Sequence, residues 1–168
     1  MRYKPIVVAN SFIERFGTDN NISHMKLQKL VFFANGWQLA VTRKPLVDER
    51  SQVWRYGPIF RSLYSRLTGR GNNPIKLPVT IGPFDTVAES IPNNNSDVSN
   101  LINWIWDKYG SISAERLSGM THEPGTPWYT IAKKHNFSVP AHMEIDDDLV
   151  EEYFRGVART EGVPVPGE

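Results

Sequence analysis

The run KLQKLVFFANGWQLA, residues 26–40, constrains this chain more than any other stretch. Leu27, Leu30, Val31, Ala34 and Trp37 recur at helical spacing, and Met25, Phe32, Phe33 and Leu39 widen the stripe. Ser23 is placed to cap the helix, which runs to about Thr42. A helix apolar over so much of its circumference has to be surrounded by others, so this segment reads as the central core helix. Lys26, Gln28 and Lys29 lie near its N-terminus, where the helix dipole mildly disfavours cations, and they read as a solvated face.

The rest of the chain supplies elements to surround it. Pro5 opens a helix carrying Ile6, Ala9, Ile13 and Phe16 and ending at Gly17. After Pro45, the segment LVDERSQVWRY has room for one short strand around Gln52 to Trp54. Gly57 and Pro58 then punctuate, with Pro58 suited to the first turn of a helix whose apolar stripe is Ile59, Leu63, Tyr64 and Leu67. Residues 68–95 turn irregular, with proline and glycine breaks and room for short extended pieces around Val79 and Val87. Ser96 or Asp97 caps a helix through Tyr109, Ser113 caps a short one through Met120, and Thr126–Pro127 opens another to about Lys134. Asp146 starts the last helix, with Leu149, Val150, Tyr153, Phe154 and Val157 facing inward.

These readings sum to a mainly α, compact single-domain helical bundle of about six helices, with short β-strands allowed in the 46–56 and 76–90 segments. The domain spans 1–159 and the 160–168 tail is expected to be disordered. A length of 168 residues fits one domain, and 40% hydrophobic with 22% charged residues is a globular composition. Without cysteine there is no disulfide framework, thiolate nucleophile or Cys-based zinc site. A formal charge of +1 gives no global field toward nucleic acid or an anionic membrane. The early apolar run is interrupted by Asn10 and Glu14, too soon for a signal peptide or a membrane span, so the expected location is the cytoplasm.

No catalytic constellation emerges. His24, His122, His135 and His142 form no metal-ligating pair at helical spacing, so no metal is expected. His122, beside Thr121 and Glu123 in a Pro- and Gly-rich turn, could serve as a base but more simply braces that turn. The loop TGRGNNP has the composition of an anion-binding nest but not the spacing of a phosphate loop, which favours a surface turn. Asp146, Asp147 and Asp148 diverge around a helix and suit its N-terminus better than a metal. Of the five tryptophans, Trp37, Trp106 and Trp128 read as mostly core and Trp104 as surface. Arg55, Arg61, Arg66 and Arg70 gather around the third helix with Trp54, Tyr56 and Tyr64, a mixture found at protein interfaces, on nucleic acid, or simply on a solvated face. Near-neutral charge makes nucleic acid unlikely among these.

Taken as an ordered set, KLQKLVFFANGWQLA, Pro45–Leu46, VWRYGPIFRSLY and LSGMTHEPGTPW resemble the successive motifs of the Panacea antitoxin domain, with its SocA-like and phage-associated GepA-like members. The similarity runs from about Ser23 to Lys134, and Lys26, Leu27, Trp54, Gly57, Pro58, Thr121, His122, Pro127 and Trp128 weigh most in it. It implies an antitoxin that neutralises a cognate toxin by direct protein contact in a bacterial or prophage toxin–antitoxin system, with no enzymatic activity and no cofactor. It also implies alternatives that share the binding physics: an adaptor delivering a toxin to an ATP-dependent protease, or a phage counter-defence protein. From a different class, a small hydrolase or nucleotide-acting enzyme would use His122, Glu123 and Asp85. The content of Arg, Tyr and Trp places the expected partner-binding surface at Trp54, Arg55, Tyr56, Arg61 and Tyr64, with His122 and Trp128 from the later turn.

Overall fold

The computed structural model describes residues 1–167 and contains, among them, seven helices and one two-stranded sheet. In chain order these are α1 (Pro5–Phe16), α2 (His24–Thr42), β1 (Gln52–Trp54), β2 (Gly57–Ile59), α3 (Arg61–Leu67), α4 (Ser96–Tyr109), α5 (Ala114–His122), α6 (Pro127–Lys134) and α7 (Asp147–Glu161). No helix among the described residues is long and apolar enough to cross a membrane.

The apolar girth of α2 does place it at the centre. It packs against α1, α3, α4, α5, α7 and β2, and Leu27, Leu30, Val31, Ala34 and Trp37 are buried together with Phe32, Phe33 and Leu39. Its most extensive packing is with α7. A side chain at Gly36 would sit 2.1 Å from a ring carbon of Phe154, so only glycine lets the two helices approach this far. Around that point Phe32, Phe33 and Trp37 all meet Phe154 edge to face. Trp37 donates its indole hydrogen to the Tyr109 hydroxyl at 2.8 Å, which satisfies the one polar atom of a buried ring. Trp106 and Trp128 are half-buried against the core, and Trp104 is exposed.

Helix starts follow local chemistry. Ser23, Asn95, Ser113 and Thr126 each accept a backbone N–H of the first turn they cap, and proline stands at the start of α1 and α6. For α4 this corrects the expected cap: Asn95 takes the Val98 N–H, and Ser96 and Asp97 already lie within the helix. Past α7, which ends at Glu161, Val163 and Val165 pack partly against the core. Arg155, buried on α7, donates to the carbonyls of Ala40 and Pro166. Glu168, the last residue of the 160–168 segment, lies outside the described residues.

Three further local expectations are corrected. Pro58 does not open a helix: it lies in β2, paired with Val53 in an antiparallel hairpin, and α3 begins only at Arg61. Among the described residues the 76–90 segment forms no strand. It is a strap whose backbone is satisfied by side chains of α1 instead: Asn10 donates to the carbonyls of Val79 and Glu89 and accepts from Val79 N–H, and Ser11 accepts from Ile91 N–H. Lastly, Lys26, Gln28 and Lys29 form no solvated face. All three are buried, because acceptors from other elements converge on them.

Candidate functional site

Those three side chains lead to the site. The Lys26 ammonium donates to the Gly110 carbonyl at the end of α4 and lies 5.4 Å from the Trp106 ring centre. The other two reach the β1–β2 hairpin. Lys29 donates to the Pro58 carbonyl at 3.0 Å, and Gln28 grips Phe60 twice, donating to its carbonyl at 3.2 Å and accepting its N–H at 2.9 Å. From the opposite side come residues of α5 and α6. Trp128 donates its indole hydrogen to the Trp54 carbonyl at 2.7 Å, His122 Nε2 faces the Arg55 carbonyl at 3.0 Å, and the Ser118 hydroxyl donates to the Tyr56 carbonyl at 2.6 Å. The carbonyls of residues 54, 55, 56, 58 and 60 are thus each met by a side chain from a distant part of the chain.

The hairpin is a two-residue turn, Arg55–Tyr56, closed by Gly57 at φ +105°. This geometry favours glycine, and space demands it: a Cβ there would fall 2.4 Å from Thr121 Oγ1 and 2.9 Å from Lys29 Nζ. Thr121 is itself fixed by donating to the Ser118 carbonyl, and its own carbonyl accepts from the Thr126 hydroxyl that caps α6. So the THEPGTPW turn acts as a bracket: Thr121 packs under Gly57, His122 and Trp128 hold two carbonyls, Gly125 turns at φ +89°, and Thr126–Pro127 launches α6. Such a concentration of side-chain bonds onto one short loop gives it a single conformation.

Burial without a counter-charge depresses the Lys29 amine from its ordinary value to about 7. His24, at the start of α2, is lowered to about 4, first by burial and then by the positive charges of Lys29 and Arg70. Both shifts report a region short of negative charge.

The seven residues expected to meet a partner separate three ways. Trp54, Arg55, Tyr56 and Tyr64 lie together and line a cavity of about 350 Å³ with His24, Ile59, Gly71 and Asn72. Trp54 and Tyr64 are 4.8 Å apart between ring centres, and Tyr64 continues to His24 at 5.1 Å, making one aromatic wall. Tyr56 is 56% exposed beside an exposed Arg55, whose guanidinium sits over its ring. Arg61 is exposed but points away from the cavity, toward His142 Nδ1 at 3.4 Å. His122 and Trp128 stand behind the hairpin, in contact with each other, and hold it.

For His122 this fits the bracing role. Its Nδ1 faces the Ser118 carbonyl at 2.6 Å and its Nε2 the Arg55 carbonyl, so both nitrogens are engaged with backbone. Asp85 is spent on the Gly82 N–H within the strap. Sequence reasoning missed Gln28, Lys29, Ser118 and His24. Their polarity was visible, but the backbone carbonyls that receive Gln28, Lys29 and Ser118, and the Tyr64 ring that meets His24, belong to residues far away in the chain, and no local pattern marks such a contact.

The comparisons with known proteins cover these same residues. The family described as Antitoxin SocA-like, Panacea domain matches residues 27–129, which includes the hairpin and every side chain bonded to it. Antitoxin SocA of Caulobacter vibrioides (strain NA1000 / CB15N) is 29% identical over 166 residues, covering 95% of this chain and 86% of that protein. No solved structure matches the chain. With more than half of its length matched, the chain belongs to the SocA-like antitoxins of the Panacea domain family.

Proposed function

We propose that the chain is an antitoxin that neutralises a cognate toxin by holding it in direct contact, without catalysing a reaction on it, and that the hairpin tip with the helix after it is the contact surface. One observation carries this reading: the hairpin's carbonyls are held by side chains from α2, α5 and α6, so Trp54, Arg55 and Tyr56 are displayed on a loop already fixed in place, with Tyr64 of α3 against Trp54. A surface ordered before binding loses less entropy when a partner docks, which raises affinity for a given contact area. Arg, Tyr and Trp are also the residue types that dominate binding energy at protein interfaces. Family membership supports the antitoxin role.

The test is co-expression with the toxin encoded beside this gene. The expected result is restored growth and a complex that co-purifies. A toxin that remains active and fails to co-purify would remove the reading, whereas rescue that depends on an ATP-dependent protease would assign the chain to delivery instead of occlusion.

A further inference from the structure

The cavity beside the hairpin has a chemistry of its own. Its wall is aromatic, formed by Trp54, Tyr64 and His24, and its rim carries Arg55, Gly71 and Asn72. Among the described residues no carboxylate lines it. Arg70 precedes the rim glycine, and its charge reaches His24, as does that of Lys29 beneath. Arg55 and Arg70 are both exposed, and neither is recorded in an ion pair among the described residues. The interior therefore favours a flat apolar group, and the field at the mouth favours an anion.

We propose that this cavity is an anchor site for a partner chain bearing an aromatic side chain next to a carboxylate, the ring against Trp54 and Tyr64 and the carboxylate at the rim beside Arg55, in the field that Arg70 adds. Charge complementarity selects the acid, since among the described residues the charged side chains that line the cavity or act on His24 are Lys29, Arg55 and Arg70, all cations. Size and setting select a protein. About 350 Å³ lies at the low end of small-molecule sites, and the cavity opens beside the exposed Tyr56 at the hairpin turn, where a docked surface would cover both. That the partner is the toxin rests on the function proposed above; the chemistry of the site does not.

The probes are acetyl-Gly-Phe-Asp-Gly-amide, its Asn counterpart acetyl-Gly-Phe-Asn-Gly-amide, and phenylacetate, each titrated into the full chain and followed by calorimetry and by shifts of the Trp54 indole resonance. The Asp peptide should bind about tenfold more tightly than the Asn peptide, the gain expected of a charge-assisted contact. Arg55→Glu and Arg70→Glu should each remove that difference, while Lys44→Glu, the same charge change beyond the far end of α2, should leave it intact. Equal affinity for the two peptides, or no binding of either, overturns the proposal. Phenylacetate binding as tightly as the Asp peptide would give the cavity to a free small acid and overturn its assignment to a protein. If the peptide binds as expected but no toxin complex forms, the site stands and only the toxin reading falls.

Discussion

Gly57 concentrates the local demands of this fold. It needs a positive φ, and it leaves no room for a Cβ between Thr121 and Lys29. Gly57→Ala should therefore destabilise the protein by about 2–4 kcal/mol, combining backbone strain with overpacking. The shift in urea midpoint measures it, and a loss close to zero would mean that the hairpin relaxes at little cost. Lys29 beneath it gives a prediction in pH. Its folded-state value of about 7 lies below the ordinary 10.5, so between those values the unfolded chain binds the additional proton and stability rises with pH. The contribution is fully present above 10.5 and is lost as pH falls through 7. From pH 7 to 9 the slope from this group should approach about 1.4 kcal/mol per pH unit, and Lys29→Met should flatten it in denaturant titrations at several pH values. His24, lowered from 6.5 to about 4, adds a slope of the same sign between pH 4 and 6.5.

At the scale of elements, the strap over 76–90 shows how a segment without strand or helix is held. Asn10 replaces a neighbouring strand by donating twice and accepting once. Asn10→Ala would leave buried backbone groups without partners and should cost about 2–3 kcal/mol. Hydrogen exchange at Val79 N–H should quicken well beyond the rest of the strap, and unchanged protection there would contradict this account. Helices were legible in the sequence because their signals are local: apolar spacing located α2 and α4, and Ser23, Ser113 and Thr126 marked three of the starts. Pro58 misled because a proline after glycine opens a helix as readily as it ends a hairpin turn, and only pairing with Val53 decides between them. Asn10 and Lys29 were not legible for a related reason. A buried polar side chain looks the same in sequence as a solvated one until its acceptor is placed.

Across the whole molecule, the family motifs acquire a physical connection. KLQKL lies on α2, VWRYGPIF makes the hairpin, and THEPGTPW joins α5 to α6, and side chains from the first and third bond to the backbone of the second. The partner-binding residues anticipated from sequence thus divide by role. His122 and Trp128 support the loop, Trp54, Arg55 and Tyr56 are presented by it beside Tyr64 of α3, and Arg61 faces away toward His142. That division was hidden because residue type alone marks both groups as interface-like. The most direct measurement is the affinity of the co-expressed toxin for the Arg55→Ala/Tyr56→Ala double variant, whose two truncated side chains are exposed and whose backbone bonds stay in place. An affinity about tenfold weaker or more, with an unchanged urea midpoint, is the predicted result. Undiminished affinity in a fully folded variant would contradict the assignment of the hairpin as the toxin-contact surface.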